Sequence, residues 1–336
     1  MNAKRIAHII IVVTGVFAIG MLFLFLLKTT PLNTNLPINT SIFANYGSLV
    51  GGISASLLSL ASVFLIIQSI KEQEKSRILQ NIESRFFELL KFTRENSENI
   101  NSKGKSGRTV FIQIKTEFNS LFNTNKAWYT LEKSNLLEKE WKRNLICITY
   151  LIIFFGVDDS QYDFLKENLK KVITDKKLWH EFENNVLKPL SNDHRIIKQK
   201  NSSRERATRL YLKYDGYQNI LGHYFRNLFQ TVKFINNQPA LTYIDKYNYI
   251  KILRAQLSTF EQVMFFYNSL STFGFPWEKS TNSEKYNEML ITKYNIVKNI
   301  TFKLNAIIDV RDYYPLVTYE GSEKSNERIM VEESFS

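Results

Sequence analysis

The chain holds very little of what most catalytic or disulfide-bonded folds require. Cys147 is the only cysteine in 336 residues, so no intramolecular disulfide and no thiolate metal cluster can form. It lies inside the apolar run 145–155 and reads as a core residue of a reducing compartment. That run is too short to cross a bilayer, so it is expected to be a buried helix or strand ended by Gly156. The sequence has no P-loop, no dinucleotide-binding glycine pattern, no nucleophile elbow and no paired Cys or His spacing for a metal, so no cofactor or metal is expected. Glycine (12) and proline (6) are scarce, which favours long helices joined by short loops and an all-α fold class.

Charge is missing where it matters most. Two stretches, about 6–27 and 48–68, carry no Asp, Glu, Lys or Arg, and each is long enough to cross a hydrocarbon core of roughly 30 Å. The first follows Lys4 and Arg5 but outruns the apolar region of a cleavable signal, which is typically about 7 to 15 residues. The connector 29–46 is uncharged, whereas Lys71, Lys75 and Arg77 follow the second stretch. The positive-inside rule then predicts a transmembrane hairpin in a cell inner or plasma membrane, multi-pass, with both termini cytoplasmic. Gly47, Gly51, Ala55 and Ser59 recur every four residues in the second stretch, a stripe that lets helices approach closely. It fits packing against the first span or packing between subunits, the latter implying a homo-oligomer.

The domain plan is a hairpin over 1–70, a cytoplasmic helical domain over 71–318 and an acidic flexible tail over 319–336 with few apolar residues to bury. Helical periodicity after the second span allows one helix to continue into the cytoplasmic part before the polar stretch 97–107. Net charge is +12, and Lys4, Arg5 and Lys28 supply 3 of it before residue 71, leaving +9 beyond. Arg195, Lys198, Lys200, Arg204, Arg206, Arg209 and Lys213 concentrate that excess against the single acid Glu205. Such a segment fits a solvated loop, an anionic membrane surface or nucleic acid. Asp158, Asp159 and Asp163, with Lys166 nearby, fit the acidic N-terminus of a helix better than a metal-dependent nuclease.

Two segments are more specific. In 221–235, Phe225, Leu228, Phe229, Val232 and Ile235 form an apolar helical face, while His223, Arg226, Asn227 and Gln230 line another stripe. In 247–270, Ile250, Leu253, Leu257, Phe260 and Met264 continue one apolar stripe, beside Arg254, Ser258, Glu261, Phe265 and Asn268. If the polar stripes face one another, His223, Arg226, Arg254 and Glu261 form one paired cluster, since unpaired buried charge costs several kcal/mol.

These two segments, with YGSLVGG, SRFFELLKF and GRTVFIQIKTEFN further upstream, resemble the AbiC-like phage abortive infection family. The resemblance implies bacterial antiphage defence, in which an infected cell blocks phage production, and it places His223, Tyr224, Arg226, Arg254, Gln256, Ser258, Glu261, Tyr267 and Asn268 in the family's characteristic segments. It carries over no catalytic assignment. The helical ribonucleases common among abortive infection proteins have an Arg four to six residues ahead of a His, and none of His8, His180, His194 or His223 has one. Three expectations follow: a membrane-anchored sensor or effector that binds a phage or host protein, a tethered ribonuclease using His223 as base with Arg226 or Arg254 stabilising charge, and membrane disruption by assembled hairpins.

Overall fold

The computed structural model describes residues 3–29, 40–202, 214–278, 289–300 and 307–335. It is mostly helical, with one pair of two-residue strands among the described residues. The chain falls into two units, Met1–Glu83 and Ser84–Ser336, so the first boundary lies past residue 70, within a helix.

The first unit consists of α1 (Ala3–Thr29) and the first part of α2 (Thr40–Glu98). Both helices are long and apolar enough to cross a membrane. In α1 the shielded positions run 3, 7, 10, 14, 17, 21 and 25, with 6 and 18 beside them, and in α2 they are 46, 50, 54, 57, 61, 64 and 68 over the apolar part. Alternating steps of three and four are the heptad stripe of two helices packed side by side, and Phe25 meets Phe43 and Tyr46 near the connector. Gly47, Gly51, Ala55 and Ser59 lie off that stripe and are exposed. The small-residue stripe therefore does not pack on α1, as one expectation had it. Val50, Ser54, Leu57 and Ala61 occupy the shielded stripe instead, because three- and four-residue steps keep a heptad seam on the partner whereas strict four-residue steps drift off it.

The second unit starts in the last part of α2, where Phe86 and Thr93 are buried, and α2 ends at a two-residue hairpin, β1 (Asn101–Ser102) and β2 (Lys105–Ser106). Lys103 and Gly104 both take positive φ there, as a two-residue hairpin turn requires. Next come α3 (Thr109–Trp128), α4 (Leu131–Ser134) and α5 (Glu138–Phe155). The 145–155 run is indeed a buried helix, and Cys147 lies in it with its thiol pushed up to about 11 by burial. Gly156 ends α5, followed by α6 (Asp159–Lys170), α7 (Lys176–Phe182) and α8 (Lys188–Ser202). A π turn, Glu183–Leu187, joins α7 to α8. Pro189 explains it: proline has no N–H for the helical ladder and its ring crowds the carbonyl four residues back, so the chain bulges just upstream.

The remaining helices are α9 (Gln218–Asn236), α10 (Tyr243–Gln256), α11 (Thr259–Leu270), α12 (Leu290–Tyr294) and α13 (Asn326–Glu333). Every residue of α11 from Glu261 to Leu270 is buried, so this helix is a central post, with the Tyr267 ring stacked on Phe118 at 4.1 Å. The single helix expected over 247–270 is two. The break falls at Leu257 and Ser258, where the Ser258 hydroxyl accepts from the Glu261 N–H and the Glu261 carboxylate accepts from the Ser258 N–H at 2.6 Å, a reciprocal capping box.

Two glycines fix where α9 begins. Gly156 and Gly216, at φ +79° and +90°, lie back to back, and a Cβ on Gly156 would come within 2.6 Å of the Asp215 and Gly216 backbone. The Tyr217 N–H then reaches the Ile153 and Phe154 carbonyls, pinning α9 to the end of α5.

The tail is not free. Arg328, 1% exposed, donates to the carbonyls of Thr292 and Lys293 and pairs with Glu332 at 2.9 Å, while Tyr319 is also buried. The expected flexible tail over 319–336 is thus corrected for the described residues: a guanidinium satisfied by backbone carbonyls holds α13 down without a large apolar face.

Candidate functional site

Glu261 is the most heavily bonded of the sequence candidates. Its carboxylate accepts from the Ser97 hydroxyl at 2.6 Å, the Tyr224 hydroxyl at 2.9 Å and the Ser258 N–H, and it pairs with Arg108 at 3.8 Å. It thereby ties α2, α9 and the start of α3 to the cap of α11. Burial, with the neighbouring carboxylate, holds the Tyr224 phenol well above its ordinary pKa, so Tyr224 stays a hydrogen-bond donor. Arg108 also donates to the Gln256 carbonyl at 2.8 Å.

Arg254 goes elsewhere. Its buried guanidinium donates to the carbonyls of Tyr294 and Asn295 at 3.2 and 2.9 Å, holding α10 to the end of α12. Glu261 takes Arg108 as its ion partner, not Arg254. The one cluster expected from His223, Arg226, Arg254 and Glu261 is therefore not formed: the helix break separates Arg254 from Glu261, and the latter two serve as internal ties.

His223 and Arg226 are exposed on α9 and make no hydrogen bond or ion pair among the described residues. With Asn227, Gln230, Phe92 and Asn96 they line an open groove, in which Asn227 donates to the Thr93 hydroxyl at 2.9 Å. This is the expected polar stripe of α9, and it faces the end of α2.

Arg226 also borders a second and larger concavity of about 520 Å³. Phe154, Phe155, Phe164, Phe225, Phe229, Phe273 and Trp277 line it from α5, α6, α9 and the turn after α11, with Glu167, Asn168, Lys171, Gln218 and Asn268 as its polar groups. Phe154 meets Phe273 at 4.9 Å, and Phe229 meets Trp277 at 5.0 Å edge to face. Sequence reasoning placed Arg226 and Asn268 among the candidates but missed the aromatic lining, whose members are scattered from residue 154 to 277 with no local pattern linking them. Asn268 is 4% exposed, and its Nδ2 donates to the Tyr150 hydroxyl at 2.8 Å. Tyr267 and Ser258 are a core ring and a helix cap.

His194 is a further polar centre that the sequence did not flag. Its Nε2 is 3.1 Å from Asp215 and its Nδ1 3.8 Å from Asp158, with the ring buried. Arg195 pairs with Asp159 and Lys198 with Asp158, so two cations of the basic segment are already met by acids at the start of α6. Lys200 is exposed at the end of α8. Arg204, Arg206, Arg209 and Lys213 lie outside the described residues. Among the described residues no group of three or more His, Cys, Asp or Glu is placed to hold a metal ion.

The second unit is thus a helical body with a buried central helix and an aromatic cleft beside an unpaired arginine. Residues 216–304 match a family model described as "Putative phage abortive infection protein". The matched span, similar to that family, takes in α9 to α12 with Glu261, Arg226 and Asn268. The resembling pieces upstream of residue 216 fall outside the matched span. No curated protein and no solved structure matches the chain.

Proposed function

We propose that this protein is a membrane-anchored antiphage defence protein whose helical second unit lies in the cytoplasm and acts as sensor or effector by binding a phage or host component. The abortive infection segment over 216–304 is the observation that carries this reading. The anchor rests on α1 and α2, long and apolar enough to cross a membrane, and on Lys4, Arg5, Lys71, Lys75 and Arg77 flanking an uncharged connector. Self-association through the exposed face of Gly47, Gly51, Ala55 and Ser59 is part of the proposal, as is electrostatic attraction of the basic segment to anionic lipid or nucleic acid.

Phage challenge of cells expressing the wild type, Arg226→Ala or a form lacking residues 1–70 tests it. The wild type should protect and both altered forms should not. Wild-type cells as sensitive as empty cells would remove the reading altogether. Orientation has its own check: with Cys147 buried, a cysteine placed at Asn35 should react with an impermeant maleimide added outside the cell.

A second reading is favoured by the shared groove of His223 and Arg226. There an imidazole beside a guanidinium would cleave RNA: the base takes the 2′-hydroxyl proton as the 2′-oxygen bonds to phosphorus, the cation meets the phosphorane charge, and the 5′-oxygen leaves with a proton from water. RNA cleavage by the wild type that disappears in His223→Ala would favour it over pure binding.

A further inference from the structure

We infer that the aromatic cleft beside Arg226 binds a nucleotide, free or at the end of an RNA strand, which deepens the proposed function by naming the ligand class. Three features of the cleft converge. Its volume of about 520 Å³ lies within the range of about 300–1,000 Å³ typical of small-molecule sites. Phe154 packs on Phe273 at 4.9 Å and Phe229 stands edge to face on Trp277 at 5.0 Å, and the ring surface left open for a base to stack on belongs to Phe164 and Phe273, 62% and 40% exposed. Phe273 stays 40% exposed although it packs on two other rings, so the platform is open to an incoming ligand.

The polar groups add direction. Arg226, exposed and without a partner among the described residues, stands at the rim with Lys171, and Glu167 is the one acid in the lining. Two cations against one acid favour an anion, and a guanidinium fork matches phosphate oxygens. In the lining of the cleft, Asn268 is more than nine-tenths buried; its Nδ2 donates to Tyr150, and its Oδ1 accepts no hydrogen bond among the described residues. An open acceptor in the lining of an aromatic cavity is matched by the exocyclic amine of a base. An acyl chain would satisfy the rings and waste Asn268 and Arg226; a bare phosphate would leave the rings uncovered.

Gly222 supplies a blocking substitution. It lies on α9 in the wall of the cleft, and a Cβ there would meet only the Phe154 ring at 3.7 Å, so Gly222→Leu should fill the cavity while the helix keeps its place. The test is isothermal titration of full-length protein in nanodiscs with two probes, ATP and a short single-stranded RNA. At least one probe should bind saturably, with affinity reduced about tenfold or more by Arg226→Ala, abolished by Gly222→Leu and unchanged by Lys251→Ala, an exposed cation on α10 outside the cleft. Which probe binds tells a free nucleotide from a strand end. Failure of both probes to bind wild-type protein of native circular dichroism would overturn the inference, as would binding that survives Gly222→Leu. If wild-type cells resist phage while neither probe binds, only the nucleotide is lost and the defence reading stands; if they do not resist, that reading falls whatever the titration shows.

Discussion

Replacing Glu261 with alanine should be among the most damaging single changes in the second unit. The carboxylate takes hydrogen bonds from Ser97, Tyr224 and the Ser258 N–H, and it is 1% exposed, so water cannot readily take its place. Truncation strands the Tyr224 and Ser97 hydroxyls, at about 1–3 kcal/mol for each buried donor left unmade. It also removes half of the capping box on α11, and caps contribute about 0.5–2 kcal/mol. Together these come to about 2.5–8 kcal/mol, a large part of the 5–15 kcal/mol typical of a folded domain. For a unit of this size each kcal/mol moves the melting temperature by about 2–4 °C, so a fall of roughly 5–30 °C is expected. Full-length protein in detergent, followed by circular dichroism at 222 nm during heating, would show it. Tyr224→Phe is the calibrating variant: it removes one donor and leaves the carboxylate its other partners, so it should cost only about 1 kcal/mol. A Glu261→Ala protein melting within 3 °C of wild type would refute the reasoning, because the four elements would then be held together without their shared acceptor.

Other outcomes follow from the same geometry. Arg328→Ala should free α13, leaving the Thr292 and Lys293 carbonyls short of donors, and limited proteolysis should then cut within 326–333 while the rest of the chain resists. Gly156→Ala should destabilise by about 3 kcal/mol or more, since its Cβ would strike the Asp215 and Gly216 backbone at positive φ, whereas Gly321→Ala, with nothing within 4 Å, should show only the milder conformational penalty in a parallel melt. Burial pushes the Glu278 carboxyl up to about 7 against the pull of the Thr292 N–H and hydroxyl. The folded chain then binds this proton more tightly than the unfolded one, so the contribution is full below about 4.5 and is lost as pH rises through 7, by up to about 1.4 kcal/mol per pH unit. Glu278→Gln should flatten that slope in denaturant titrations between pH 5 and 7; an unchanged slope would contradict the assignment.

Much of this architecture was legible in the sequence because it depends on local pattern. The presence of two long apolar helices follows from uncharged runs, and the buried run around Cys147 and the two faces of α9 follow from local pattern that the structure keeps. The break between α10 and α11 was not read, although its cue was present: Ser258 and Glu261 stand three apart, as a capping box requires. The unbroken stripe from Ile250 to Met264 concealed it, since hydrophobic spacing runs on undisturbed through a turn that buries both of its flanks. Local pattern also misled at the tail, where composition suggested freedom and a single arginine bonded to backbone carbonyls imposes order. The cleft escaped notice for another reason. Its rings come from four elements, and only tertiary contact makes Phe154 and Phe273 neighbours.

The π turn ahead of Pro189 sets the clocking of all that follows it in the same rod. Wound as an ordinary α-helix with no residue lost, Glu183–Leu187 would swing the downstream helix by about 100°. Ser191 would then point away from the Val157 carbonyl, His194 from Asp215 and Arg195 from Asp159. The wide turn therefore aims three side chains at once by absorbing one surplus residue, and a one-codon deletion within it should restore α winding and leave all three anchors facing their partners.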